Sequence, residues 1–224
     1  SGKSLTFAFL NDASGNTIKY CTVKGSTTAT GRGIIHFSTS SLTGNDNNII
    51  DGCNITNSGS RPLQAIYSSG SMGKDNSGNI ISNNHIYDFL SASFSSSYGI
   101  SIAGASTDFI ISGNSFYETA VFAPVSGNNY NAIRVLSNTN HTIRNNYIGG
   151  TAPNCGGSAM TISANLPHYF CGIMVSGGTS GATLVENNLI SNIDYTSTQS
   201  NPWDGIFVHA GNVNVYGNTI GATT

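Results

Sequence analysis

The chain has 224 residues, of which only 8% are charged, and a formal net charge of −2. This balance excludes nucleic acid and anionic membrane surfaces as expected partners, since both demand clustered lysine and arginine, and no apolar run is long enough to cross a bilayer. Abundant Ser, Thr, Asn and Gly would suit a disordered chain, but the apolar residues are too regularly spaced for one.

Residues 1 to 26 carry Leu5, Phe7 and Phe9 in alternation, a turn from Asn11 to Gly15, and the first copy of a six-residue phrase: apolar, two residues, Asn or Cys, one residue, apolar. Its copies begin at Ile18, Ile50, Ile81, Ile111, Ile143, Val185 and Val215, so the steps are 32, 31, 30, 32, 42 and 30 residues. Such a period marks a solenoid with one insertion. Between the copies lies a second phrase, a small residue followed by Ile, at Gly33-Ile34, Ala65-Ile66, Gly99-Ile100, Ala132-Ile133, Gly172-Ile173 and Gly205-Ile206. In both phrases apolar residues alternate at period two, the mark of a strand with one buried face. The connections are rich in turn formers, and no stretch has helical periodicity. The expected fold is all-β: a right-handed parallel β-helix of about seven coils, roughly 30 to 35 Å long at the spacing of neighbouring strands. One domain spans 1–224, with a loop insertion at 149–171.

From the start of the Asn phrase to the following small-Ile phrase the separations are 16, 16, 19, 22, 30 and 21 residues, whereas the other connection shortens from 16 to 9. Long connections thus gather on one side of the later coils, where they either bind something or protect a flank. No signal-peptide pattern opens the chain and no helical cap closes either end. The polypeptide is therefore expected to be part of a longer protein, or its copies to associate end to end through bare strand edges.

The two phrases, with Asn84, Asn114, Asn146, Asn188 and Asn218 in one column, resemble right-handed β-helix proteins of the pectin-lyase-like superfamily. Thr43 to Ile50 and Cys155 to Met160 are similar to segments of large bacterial secreted surface proteins. The resemblance implies an extracellular or cell-surface setting and a function among polysaccharide lyases, glycoside hydrolases, adhesins and plain spacers. Lyases of this type use a basic residue with acidic calcium ligands; here Arg134 has no evident acidic cluster beside it.

The Asn column reads as a structural ladder, with side-chain amides satisfying one another and the turn backbone. Cys21 and Cys53 occupy the same column and are either buried thiols or a cross-coil bridge. Cys155 and Cys171 bracket most of the insertion and are expected to form a disulfide. Asp88 and Glu118 follow Tyr87 and Tyr117 on consecutive coils, which predicts carboxylates about 5 Å apart. That separation suits retaining glycoside hydrolysis or a Ca²⁺ ion, and the like charges should raise one pKa. Otherwise no cofactor or metal is expected. Arg134, Tyr67, Tyr98, Trp203, Asp204 and His209 gather on the small-Ile sheet as a polar and aromatic face suited to sugars. Lys19 with Asp51, and Arg144 with Glu186, read as cross-coil ion pairs. Together these residues predict a non-catalytic scaffold or adhesive module for polysaccharide or cell-surface glycan, with a polysaccharide-degrading enzyme as the alternative; Asp88, Glu118 and Arg134 are its catalytic candidates.

Overall fold

The computed structural model describes residues 5–93, 95–136, 139–200 and 203–222. Among them there is no helix, and three seven-stranded parallel sheets run the length of a solenoid. Each coil contributes one strand to each sheet in turn. The fifth coil, for example, supplies Asn129–Val135 to sheet 1, Thr142–Arg144 to sheet 2 and Tyr147–Ile148 to sheet 3. In-register pairing stacks like on like. Ile18, Ile50, Ile81, Ile111, Ile143, Val185 and Val215 form one inward column of sheet 2. Val23, Ile55, Ile86, Phe116, Ile148, Ile190 and Ile220 form the matching column of sheet 3. No coil buries its apolar face alone, so cohesion comes from neighbour on neighbour.

Sheet 1 departs from the sequence alignment by one residue at its second strand. Ile35, not Ile34, pairs with Ile66, so His36 lies beside Tyr67 and Phe37 beside Ser68. A one-residue slip exchanges the two faces of a strand. The observed register turns Phe37 into the core, stacked on Phe9 at 4.6 Å, and His36 outward onto Tyr67.

The turn between sheets 2 and 3 carries the predicted ladder. Each ladder residue is preceded by one in the left-handed region: Tyr20, Gly52, Asn83, Gly113, Asn145, Asn187 and Gly217 all have φ between 53° and 67°. The N–H and Nδ2 of Asn84, Asn114, Asn146 and Asn188 each donate to the Oδ1 of the next Asn at 2.9 to 3.0 Å. Cys53 continues the column through its N–H to Asn84 Oδ1, and the Cys21 N–H meets Cys53 Sγ. Both cysteines are free.

A second ladder stands at the turn between sheets 1 and 2. Asn16 donates to Asn48 Oδ1, and Asn48 to Asn79 Oδ1, again through both N–H and Nδ2. His141 takes over the acceptor role in a later coil, its Nδ1 receiving the Phe109 N–H. Burial pushes the His141 pKa down to about 4, which keeps the ring neutral and able to accept.

The segment 149–171 is not a plain loop. After a tight turn closed by the Ala152–Gly156 bridge, Met160–Ser163 forms a strand that pairs in parallel with Ile193–Thr196. Phe122 bridges to Ile162, and Met160, Ile162, Phe122 and Tyr130 join the core. The insertions therefore build a short fourth wall between sheets 3 and 1. This wall also separates Cys155 from Cys171, and the expected disulfide is absent because both thiols are free. Cys155 Sγ lies against the Leu189 carbonyl near sheet 3, whereas Cys171 sits in the Tyr169–Ser176 strand of sheet 1.

Among the described residues the outermost strands at both ends pair on one side only, as expected, but the two ends differ in how far they bury their inward residues. In the first coil the inward Phe9, Ile18 and Val23 are at most 5% exposed, while in the last Val208, Val215 and Ile220 are 43 to 45% exposed.

The first coils are also stitched by Asp12. Its carboxylate accepts the N–H groups of Thr43, Leu42 and Gly44 at 2.8, 3.0 and 3.2 Å and the Ser41 hydroxyl at 3.1 Å. These donors, the Thr43 N–H foremost, hold its pKa at about 2, below the usual 3.8. A depressed folded-state pKa gives stabilisation that is complete above 3.8 and lost as pH falls through about 2. Asp12→Asn should therefore melt below the wild type at pH 6, with the gap closing by pH 2; a gap independent of pH would show that the carboxylate charge is not what holds the turn.

Candidate binding face

The outer face of sheet 1 brings together most of the polar and aromatic candidates. One outward column runs His36, Tyr67, Ser101, Arg134, Met174 and Phe207; another runs Gln64, Tyr98, Asn131, Cys171 and Asp204. Strand pairing holds their backbones in fixed steps, so side chains from successive coils form a ridge along the solenoid axis.

Arg134 is the centre of this ridge. Its guanidinium lies 3.7 Å from the Tyr98 ring centroid, and its Nε and Nη2 donate to the Ser101 hydroxyl at 3.2 and 3.0 Å. A planar cation on a phenol ring is both a cation–π contact and a rigid, flat surface. Burial pulls the Arg134 pKa down, and Tyr98 and Tyr67 oppose that shift. Further along, the His36 and Tyr67 rings stack at 5.5 Å and 8°. Burial, aided by Arg32, pushes the His36 pKa to about 4, so the ring is uncharged at neutral pH.

Towards the last coil, the Tyr169 hydroxyl donates to Asp204, which raises the Tyr169 pKa after the larger effect of burial. Cys171, between Asn131 and Asp204 in its column, is fully buried with its thiol pushed up to about 12, so it is no nucleophile at neutral pH. His209 is exposed beside Phe207 at a bulge. Trp203 does not join this face. It pairs with Phe170 in the inward column and packs against the core.

Asp88 and Glu118 do lie on consecutive coils, beside the stacked Tyr87 and Tyr117 rings, but they are not a bare pair of like charges. Arg61 reaches between them, pairing through Nη1 with Glu118 and through Nη2 with Asp88 at 3.4 Å. Glu118 is 0% exposed, and its Oε1 accepts the N–H groups of Phe89 and Leu90 at 3.1 and 3.0 Å. Asp88 in turn accepts the Thr119 N–H and hydroxyl. Arg61 also donates to the Leu90 carbonyl and lies over the Phe122 ring. The cluster thus fastens the long connections of three successive coils, and the cation between the carboxylates is a guanidinium. Arg61 belongs to no repeated phrase, so no periodic signal marked it.

Of the cross-coil pairs, Lys19 and Asp51 meet at 2.9 Å. Arg144 and Glu186 are in register but form no ion pair among the described residues, and Glu186, which is also beside Tyr216 in the column, raises the Tyr216 pKa. The second Asn ladder had a signal: Asn16, Asn48 and Asn79 each stand two residues ahead of a copy of the phrase.

No protein-family model matches this chain, and no curated protein and no solved structure matches it significantly.

Proposed function

We propose that this protein is a secreted or cell-surface β-helix scaffold that holds polysaccharide on the outer face of sheet 1 without cleaving it, akin to pectin-lyase-like surface proteins. The observation that carries this reading is the Arg134 guanidinium stacked on Tyr98 and anchored to Ser101, with Tyr67, backed by the buried His36 ring, further along the same face. Aromatic and guanidinium planes offer flat surfaces to the CH faces of sugar rings, and the rigid coil spacing presents them along an extended chain. Asp88 and Glu118 are committed to Arg61 and, for Glu118, to backbone N–H groups, which disfavours proton donation to a glycosidic oxygen.

The alternative, a polysaccharide lyase or hydrolase, draws support from the lowered pKa of Arg134 and from Asp204 on the same face. Incubation with plant, algal and microbial polysaccharides separates the two. Binding to at least one polymer is expected, weakened about tenfold or more in Arg134→Ala or Tyr98→Ala, with no new reducing ends or unsaturated products. Turnover lost in Arg134→Ala would establish the enzyme reading instead, and no binding across the panel would remove both.

A further inference from the structure

We propose a second site, separate from sheet 1, that binds an acidic sugar residue through Arg144 at the corner of sheets 2 and 3. A groove of about 460 Å³ opens there, lined by Asn83, Ser112, Arg144, Asn145, Tyr147 and Asn154. Ser112 and Arg144 are neighbours in the outward column of sheet 2, Asn83 and Asn145 are left-handed turn residues beneath the Asn ladder, and Tyr147 begins the sheet 3 strand of the same coil. The remaining wall comes from the 149–171 insertion. Asn154 is fastened over sheet 3 by its N–H to the Ser115 hydroxyl at 3.1 Å and by the Ser115 hydroxyl to its Oδ1 at 3.3 Å. The chain's largest insertion is thus folded back to close a groove, not left over solvent.

The lining states what fits. Arg144 is its one charged side chain, exposed and in no ion pair among the described residues. Of the two acids of its column, Asp51 is engaged with Lys19, Ser82 and Asn83, and Glu186, although in register beside Arg144, forms no ion pair with it among the described residues. A guanidinium grips a carboxylate or a sulfate ester through paired N–H donors. Around it, three side-chain amides, a hydroxyl and a phenol both donate and accept, which matches the hydroxyls of a sugar, and the volume lies in the range of small-ligand sites. The protein's net charge of −2 provides no general attraction for anions, so an acidic ligand would be held by this local geometry.

The test is titration calorimetry of the full chain with oligogalacturonate, with a sulfated oligosaccharide and with a neutral oligosaccharide of similar length. At least one acidic ligand should bind, and Arg144→Gln should weaken it about tenfold or more. Asn154→Gly, which keeps the left-handed backbone, should also weaken it. Arg134→Ala, on sheet 1, should not, which keeps this site distinguishable from the polysaccharide face. Lys19→Gln removes the same charge elsewhere and should leave affinity unchanged. Whichever of the carboxylate and sulfate arms binds identifies the anion. Failure of both to bind, equal affinity in Arg144→Gln, or an equal loss in Lys19→Gln would overturn the site.

Discussion

Asn146→Leu is expected to destabilise the protein by about 3 to 6 kcal/mol, although leucine adds apolar volume, because two or three buried polar groups lose their partners. Asn146 Oδ1 accepts both the N–H and the Nδ2 of Asn114, and its Nδ2 donates to the Ile111 carbonyl and to Asn188 Oδ1. The site is fully buried, so water cannot replace those bonds. Asn218→Leu, in the half-open last coil, should cost much less. Urea unfolding of the two variants checks this; equal midpoints, or a wild-type midpoint for Asn146→Leu, would show that the ladder carries no stability.

Removing Arg61 should have an effect of similar size. Arg61→Met is expected to cost about 3 to 5 kcal/mol, the usual penalty for stripping the partner from a buried ion, because the buried Glu118 would lose its guanidinium and keep only the Phe89 and Leu90 N–H groups as partners. Glu118→Gln in the Arg61→Met background should recover part of the loss. That recovery is the coupling a double-mutant cycle measures, and additive effects from the two substitutions would show that the pair acts as two independent side chains. The local consequence should be readable as faster amide exchange at Phe89 and Leu90, since both donate to Glu118.

The sequence by itself determined the seven coils, the inward columns and the sheet 2–3 Asn ladder, because each is a nearest-neighbour interaction. In-register stacking sets a residue on its equivalent one period away, so a repeated residue type is a contact. Asn146 could be placed between Asn114 and Asn188 for that reason alone. The same logic placed Ser101, Arg134 and Met174 in one outward column. Only the tertiary structure decided what lies across the period. Arg61 meets Asp88 and Glu118 from a different connection, and a long side chain with no repeated counterpart leaves no trace in the spacing. It turned an expected pair of repelling carboxylates into a latch. The register of His36 rested on Phe37 finding Phe9 in the core, and the inward turn of Trp203 on the column it shares with Phe170. The fate of Cys155 and Cys171 rested on the intervening strand: a gap of sixteen residues looked like a loop short enough to bridge, but Met160 and Ile162 are drawn into the core. Burying those side chains carries the chain across from sheet 3 to sheet 1 and leaves the two thiols on different faces.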